Sequence, residues 1–523
     1  MHPTEWIAHD PDPVTAAELA DCDADELAAR FARPLSFGTA GLRGPIRGGP
    51  DAMNLAVVLR ASWAVARVLT ERGAGGSTVI VGRDARHGSA TFATATAEVF
   101  AAQGFSVTLL PHPAPTPVLA FAVRETNAAA GIQITASHNP PADNGYKVYL
   151  DGGIQIVPPV DRDIETTIAA APFADQIART PVSPTDAGLL ERYIERAARV
   201  RRGTAGAIRV ALTPLHGVGG QVAVETLRRA GFDDVHTVAA QFAPDPDFPT
   251  VAFPNPEEPG ATDALLTLAA EIGADVAIAL DPDADRCAVG IPTPAGWRML
   301  SGDETGWLLG DYILSQLDTA HAVVASTVVS SRMLAAIAAR YGARHVETLT
   351  GFKWLARADA DQPGSTLAYA YEEAIGHCVD PEAVRDKDGI SAAVLACDLV
   401  ATRKEAGRPV LDALDDLGRR FGYHLGGAVS RPVANADEAA ALMRRLRSDP
   451  PARIAGFDCT TEDLVPRTDA LLFTGGDDAA TARVVVRPSG TEPKVKFYLE
   501  ACSGERRRAT ALRDELNAAV RDW

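Results

Sequence analysis

Ser137 stands in the stretch "TASHNP", beside His138 and Asn139 and ten residues before Lys147. A hydroxyl with an imidazole and an ammonium close by suits group transfer. A hydrolytic serine would sit in a G-x-S-x-G elbow, yet here Ala136 and His138 flank it, so a hydrolase triad is disfavoured. Two readings stay open. In one, Ser137 carries a phosphoryl group, which brings about −1.5 to −2 charge at neutral pH and oxygens able to ligate a metal. His138 and Lys147 would then be its positive or proton-donating partners, and the serine is expected to be offered to solvent. In the other, the segment is a turn held by Asx-type hydrogen bonds and nothing more.

"DPDADR" follows the apolar run "VAIAL" and alternates three carboxylates, Asp281, Asp283 and Asp285. If the loop continues extended, all three point one way. Like charges crowded at a strand end are unfavourable without a cation. An oxygen-only set suits Mg²⁺, which shares its octahedral shell readily with phosphate. An EF-hand is excluded, because its sixth and twelfth positions are filled here by Arg286 and Pro292. A plain acidic surface turn is the alternative.

"RPSGTEPK" offers a planar fork at Arg487, hydroxyls at Ser489 and Thr491, and at Gly490 a place where backbone N–H groups can approach an anion. It lacks the glycine spacing and the Lys-Ser/Thr ending of a Walker loop. "YEEAIGH" and "DKDG" contribute Glu372, Glu373 and Lys387, suited to sugar hydroxyls and to phosphate charge, although a surface pair of glutamates is the commoner explanation.

The elements that must position these loops are an alternation of apolar strands and helices. "STVIVGRD", "FSVTLLP", "GIQIT", "AIRVALT", "VAIAL" and "LAYAY" read as strands, with helical spacing in "AVVLRASWAVARVLTERG" and "SATFATATAEVFAAQG". Such alternation indicates α/β layers with a mainly parallel sheet. Three of the polar loops follow such strands, at the C-terminal edge where open α/β sheets bind ligands. "TAAELADCDADELAARF" also has helical spacing, while "FGTAGLRGPIRGGP" reads as a loop too glycine-rich for an element interior. The last segment holds two β-rich runs around a turn and then a helix. Four domains are expected, at 1–204, 205–310, 311–421 and 422–523.

The chain has 523 residues and a formal net charge of −18, which disfavours nucleic-acid and anionic-membrane partners. Six scattered cysteines without a CxxC suggest neither a disulfide framework nor a zinc knuckle. The start "MHPTEWIAHDPDP" does not read as a signal peptide, and no apolar run approaches membrane length, so a cytoplasmic location is expected.

Taken in order, "FGTAGLRG", "TASHNP", "DPDADR", "TLTGFKW", "YEEAIGH", "DKDG" and "RPSGTEPK" resemble the α-D-phosphohexomutase superfamily, across nearly the whole chain. "HGVGG", "PNPEEPGA" and "EEAIG" look most like its phosphoglucomutase and phosphopentomutase branch, with bacterial phosphomannomutase-like members close by. The resemblance implies three similar α/β domains with mixed sheets and a smaller C-terminal α+β domain around a central cleft. It implies a phosphosugar mutase phosphorylated on Ser137, with Mg²⁺ held by a phosphoserine oxygen, Asp281, Asp283 and Asp285. Phosphate would move between the 1- and 6-positions of glucose or mannose through a bisphosphate, with glucose 1,6-bisphosphate as activator. His138 and Lys147 become candidates for proton transfer, with Arg43 and Arg286 supporting the phosphoryl charge. Thr350, Gly351, Lys353 and Glu372 would face the sugar. Lys387, Arg487, Ser489, Gly490 and Thr491 would complete the substrate contacts. A monomer or homodimer is expected.

One departure bears on specificity. Many hexose-specific members carry Ser where this chain has Ala374, and losing a hydroxyl contact weakens discrimination at that sugar position. That puts glucose over mannose, or hexose over pentose, in question, so a phosphopentomutase is one alternative; a glucose 1,6-bisphosphate synthase and a non-enzymatic phosphosugar-binding regulatory protein are the others.

Overall fold

In the computed structural model, residues 2–38, 41–150, 152–185, 188–489 and 494–523 are described. They form two compact units, one of residues 1–299 with 376–402 and the other of residues 300–375 with 403–523.

The first unit holds two mixed sheets. The first comprises β1 (Leu42–Pro45), β2 (Thr78–Arg83), β3 (Ser106–Leu109), β4 (Ala130–Ile134), β5 (Asp143–Leu150) and the short β6 (Ile154–Gln155). Their order is β1-β5-β4-β2-β3, with β6 on β5. β2 runs parallel to β3 and β4, whereas β5 turns back antiparallel to β4. β2 and β4 are strings of apolar residues buried along most of their length, as strands covered by helices must be. The helix Leu55–Glu71 lays Val58, Val65 and Leu69 against that sheet. Asn54 caps its N-terminus by accepting from Val57 N at 2.9 Å.

The second sheet comprises β7 (Val210–Thr213), β8 (Val235–Thr237), β9 (Val276–Leu280), β10 (Cys287–Thr293) and β11 (Gly296–Met299), in the order β11-β10-β9-β7-β8. β9 is fully buried and leads straight into Asp281.

The second unit begins with β12 (Ala322–Thr327), β13 (Arg344–Thr348) and β14 (Thr366–Glu372), and both outer strands lie parallel to β12. Thr348 and Glu372 therefore end on the same sheet edge. β15 (Gly376–Cys378) follows and opens the segment 376–402 that belongs to the first unit. The C-terminal domain of the second unit is an antiparallel sheet of β16 (Tyr423–Pro432), β19 (Thr460–Asp463), β20 (Leu471–Gly476), β21 (Ala480–Pro488) and β22 (Lys494–Ser503), with a small pair, β17 (Arg453–Ile454) and β18 (Phe457–Asp458), beside it. Leu512, Leu516 and Val520 of the closing helical segment pack on Phe473 and Phe497.

Two expectations change. The glycine-rich segment is not all loop, because Leu42–Pro45 pairs antiparallel with β5. Gly41 makes that approach possible: its φ is +91°, and a Cβ there would lie 2.3 Å from the Tyr146 carbonyl. The stretch from Thr15 to Phe31 is not one helix but two, Pro13–Asp21 and Ala24–Ala32. Asp23 separates them by capping Glu26 N at 2.8 Å. Among the described residues no helix is long and apolar enough to cross a membrane.

Candidate active site

β4 delivers Ser137 to the C-terminal edge of the first sheet. Ser137 has φ +54° although it is no glycine, a left-handed backbone that costs energy and persists only where neighbours impose it. Arg86 is the imposing neighbour. Its guanidinium donates to the carbonyls of Ser137 (2.6 Å), Asn139 (2.5 Å), Pro140 (2.7 Å) and Asp143 (3.1 Å). The side chain is buried, approaches Asp84 at 3.4 Å and lies 4.9 Å from the centre of the Phe248 ring. Ser137 N also donates to Thr135 Oγ1 at 2.9 Å.

The hydroxyl is not offered to solvent as expected, since Ser137 is only 1% exposed. Its Oγ donates to Asp281 Oδ2 at 2.7 Å and lies 3.3 Å from His138 Nδ1. The fold has closed the acidic loop over it.

That loop is not extended. Ala284 has φ +54° and donates its N–H back to Asp281 O at 2.8 Å, so the chain turns sharply. The three carboxylates converge nonetheless, each placing an oxygen within 4.8 Å of the others, all buried. Lys147 Nζ bridges Asp283 Oδ2 at 2.6 Å and Asp285 Oδ2 at 2.9 Å. Lys387 Nζ lies 3.4 Å from Asp285 Oδ2, and Thr116 Oγ1 donates to Asp283 Oδ2 at 2.5 Å. Lys387 is delivered by the returning segment, where Gly389 lies so close to Arg286 O that a Cβ would stand 2.3 Å away. Arg286 N donates to Asp281 Oδ1 at 3.0 Å, and Arg43 Nη1 donates to Asn139 Oδ1 at 3.2 Å.

Burial, then the charges of Asp283 and Asp285, push the Asp281 carboxyl well above the usual range. Burial and Asp285 work the same way on Asp283, but Lys147 and Thr116 outweigh them and hold it low. Asp285 is held lower still against burial by Lys147, Lys387 and Arg286. Lys147 is desolvated, yet the two carboxylates keep it protonated. Burial together with Arg286 and Arg43 drives His138 well below its ordinary value, leaving a neutral imidazole beside the Ser137 hydroxyl. Asp283 Oδ1 and Asp285 Oδ1 are buried without a hydrogen bond. Such orphaned acceptors in an all-oxygen set fit a hard divalent cation.

In the second unit the candidates sit at the strand ends. Gly351 has φ +107° and opens the short helix Phe352–Leu355, which carries Lys353 one turn beyond β13 and next to Thr350. Glu372 closes β14, and its neighbour Glu373 accepts from Thr327 Oγ1 and Ser330 Oγ, each at 3.0 Å. Arg487 lies near the end of β21, and Ser489 N donates to Lys494 O at 2.8 Å. Gly490 and Thr491 lie outside the described residues.

The structure thus gathers Ser137, His138, Lys147, Arg43, Asp281, Asp283, Asp285, Arg286 and Lys387 within the first unit. Thr350, Gly351, Lys353, Glu372, Arg487 and Ser489 belong to the second. Arg86, Thr116 and Phe248 escaped the sequence reading. "GRDAR" after a strand and the proline-flanked Thr116 were the signals available for the first two. Phe248 gave none.

Four family descriptions match successive parts of the chain. They are phosphoglucomutase/phosphomannomutase alpha/beta/alpha domain I at residues 34–175, domain II at 191–293, domain III at 301–421, and the C-terminal domain at 476–519. A probable phosphomannomutase of Haemophilus influenzae is 41% identical over 482 residues, spanning 87% of this chain and 96% of that protein. Mouse phosphopentomutase is 33% identical over 561 residues, spanning 95% of this chain and 89% of its own. A crystal structure of a phosphoglucomutase/phosphomannomutase family protein from Burkholderia thailandensis shares the fold, with a TM-score of 0.71 at 21% identity over 92% of this chain and 97% of that one.

Proposed function

The chain belongs to the phosphoglucomutase/phosphomannomutase family and is a phosphosugar mutase, and from that premise we propose that it interconverts hexose 1- and 6-phosphates of glucose or mannose by way of a phosphorylated Ser137. The observation that carries this reading is the 2.7 Å hydrogen bond from Ser137 Oγ to Asp281, which seats the hydroxyl on the carboxylate triad.

Asp281, Asp283 and Asp285, with a phosphoserine oxygen, would hold Mg²⁺. The ion supplies neutralisation of phosphoryl charge. Arg86 fixes the loop so that the serine keeps one position through each transfer. A free hydroxyl of the bound sugar attacks phosphorus and the bond to Ser137 Oγ breaks; the sugar hydroxyl gives up its proton and the leaving Oγ takes one up, a transfer for which neutral His138 stands 3.3 Å from Oγ. Lys147 and Arg43 stabilise the charge on the migrating group. The bisphosphate then turns over, and its other phosphoryl group returns to Ser137. Arg487 and Ser489 would hold the phosphate that is not reacting, while Glu372 and the segment Thr350 to Lys353 meet the sugar.

A pentose reading is favoured by two observations: Ala374 offers no hydroxyl beside Glu372, and relatives at 33% identity are named phosphopentomutases. The test is the intact and peptide mass of the purified protein, followed by assay with Mg²⁺ and a trace of glucose 1,6-bisphosphate against glucose 1-, mannose 1- and ribose 1-phosphates. Phosphate on Ser137 with isomerised hexose is expected. Turnover of ribose 1-phosphate alone would replace the hexose reading with the pentose one. An unmodified serine and no product from any sugar would overturn both.

A further inference from the structure

One guanidinium in the second unit, on the strand that leads to Arg487, touches the root of the Thr350 loop directly and the end of β14 through Ser330. Arg483 lies on β21, four residues before Arg487, and the two-residue period of a strand puts both on the same face. Its side chain is 4% exposed and points away from water. It donates to Val328 O at 2.6 Å, to Ser330 O at 3.3 Å and to Glu347 Oε2 at 3.2 Å. Glu347 lies on β13, three residues before Thr350. Ser330, whose carbonyl Arg483 holds, gives its hydroxyl to Glu373, next to Glu372.

The strand partner of Arg483 grips the same loop. Glu500 faces Arg483 across β21 and β22. It accepts from Ser331 Oγ (2.6 Å), Arg332 N (2.9 Å) and Arg332 Nε (2.8 Å). Val485, on the Arg483 face, packs with Val328 and Val329. The hairpin that ends in the Arg487–Ser489 loop is therefore bolted at its middle to residues 328–332, and those residues are bolted to the end of β14. Surface side chains make no such set of contacts, and buried charge-assisted hydrogen bonds are costly to break singly.

We propose that Arg483 is a positioning residue that sets the span between the phosphate-holding loop and the two sugar-facing loops, and so discriminates hexose from pentose phosphates by length. The proposal rests on the mutase reading above. A hexose 6-phosphate and a pentose 5-phosphate each carry the phosphate on one exocyclic carbon, but a pyranose ring is one carbon larger than a furanose, so the distance from the anomeric carbon to the phosphate differs. A fixed span favours one of them. A slack span admits both.

The test compares wild type with Arg483→Lys, whose single ammonium cannot reach all three acceptors, and with Ser330→Ala, which removes one of the two hydroxyls on Glu373 and leaves the carbonyl to Arg483. Each is assayed with glucose 1-phosphate and ribose 1-phosphate, and binding of both sugars is measured by calorimetry. The hexose to pentose ratio of kcat/KM is expected to move toward one by at least about 5-fold, through KM, against the roughly 10- to 200-fold that one methylene can command. Folded variants in which both sugars lose activity equally, or in which the ratio stays put, would overturn the proposal and leave the mutase reading standing. If Arg483→Lys does not fold by circular dichroism, Ser330→Ala decides by the same ratio. A wild type that binds both sugars without turnover is judged on the ratio of its dissociation constants. A wild type that neither binds nor converts any sugar phosphate overturns both readings together.

Discussion

Asp283 accepts hydrogen bonds from Lys147 and Thr116 through one oxygen and keeps the other oxygen bare. Removing that carboxylate strips charge from the place where phosphoryl transfer is proposed and leaves the sugar contacts alone. Asp283→Ala is therefore expected to lower kcat by about 100-fold or more, with a small change in KM. Arg487 sits at the far end of β21, where it would meet only the resting phosphate. Losing a charged hydrogen bond of about 1.5–3 kcal/mol should raise KM by roughly 10- to 100-fold while kcat changes little. Steady-state kinetics of the two variants side by side checks both, and the reverse pattern would refute the assignment. The carboxylates were legible because three of them alternate behind an apolar strand. Ser137 was legible as chemistry but not as geometry: nothing in "TASHNP" announces that a carboxylate 144 residues away covers the hydroxyl. Arg86 left only the faint signal of "GRDAR" after a strand, since its four acceptors are backbone carbonyls and leave no mark on side-chain identity.

At the scale of elements, β16 and β22 carry a buried pair. His424 Nδ1 lies 2.9 Å from Glu500 Oε1, and both side chains are under a tenth exposed. Burial alone would lower the imidazole's affinity for protons, but hydrogen bonds to Cys502 and Glu500 outweigh it and lift His424 to about 9. Glu500 is held far below its ordinary value, against burial, by His424 and then Arg332. The signs define a window. The raised histidine stabilises fully below its unfolded value of about 6.5 and loses that contribution as pH climbs to about 9. The depressed glutamate stabilises above its unfolded value of about 4.5 and loses it in acid. Melting temperature should accordingly fall between about pH 6.5 and 9, by up to about 3 kcal/mol in stability, and His424→Gln should flatten that slope. Scanning calorimetry across that range would show it; an equal slope in the variant would count against the pair. Strands and helices were the most legible level, because period and burial agree in β2, β4, β9 and β14. The misread glycine-rich segment failed because its strand is short and exists only by pairing with β5.

At the scale of the molecule, the first unit is discontinuous in sequence. The segment 376–402 returns to it with Asp386 on Tyr149 (2.6 Å) and Gln155 (2.7 Å), Asp388 on Tyr193 (2.7 Å), and Asp398 on the backbone N–H groups of Arg202 and Gly203. No local pattern betrays such a return, so a reading by period and motif divides the chain into consecutive blocks. A fragment ending at residue 299 leaves those buried hydroxyls and amides without partners. It is expected to lack cooperative unfolding, whereas the same fragment with residues 376–402 joined by a flexible linker should regain it. Near-ultraviolet circular dichroism during thermal melting distinguishes them, and a cooperative melt of the shorter fragment would refute the expectation. The same return has a consequence for biosynthesis. The ribosome releases Asp285 about 100 residues before Lys387, which at roughly 5–20 residues per second is a wait of about 5–20 s. Through that interval the nascent chain carries three neighbouring acids with Lys147 as their early counter-charge, so the last step of assembling the acidic pocket belongs to the late phase of translation.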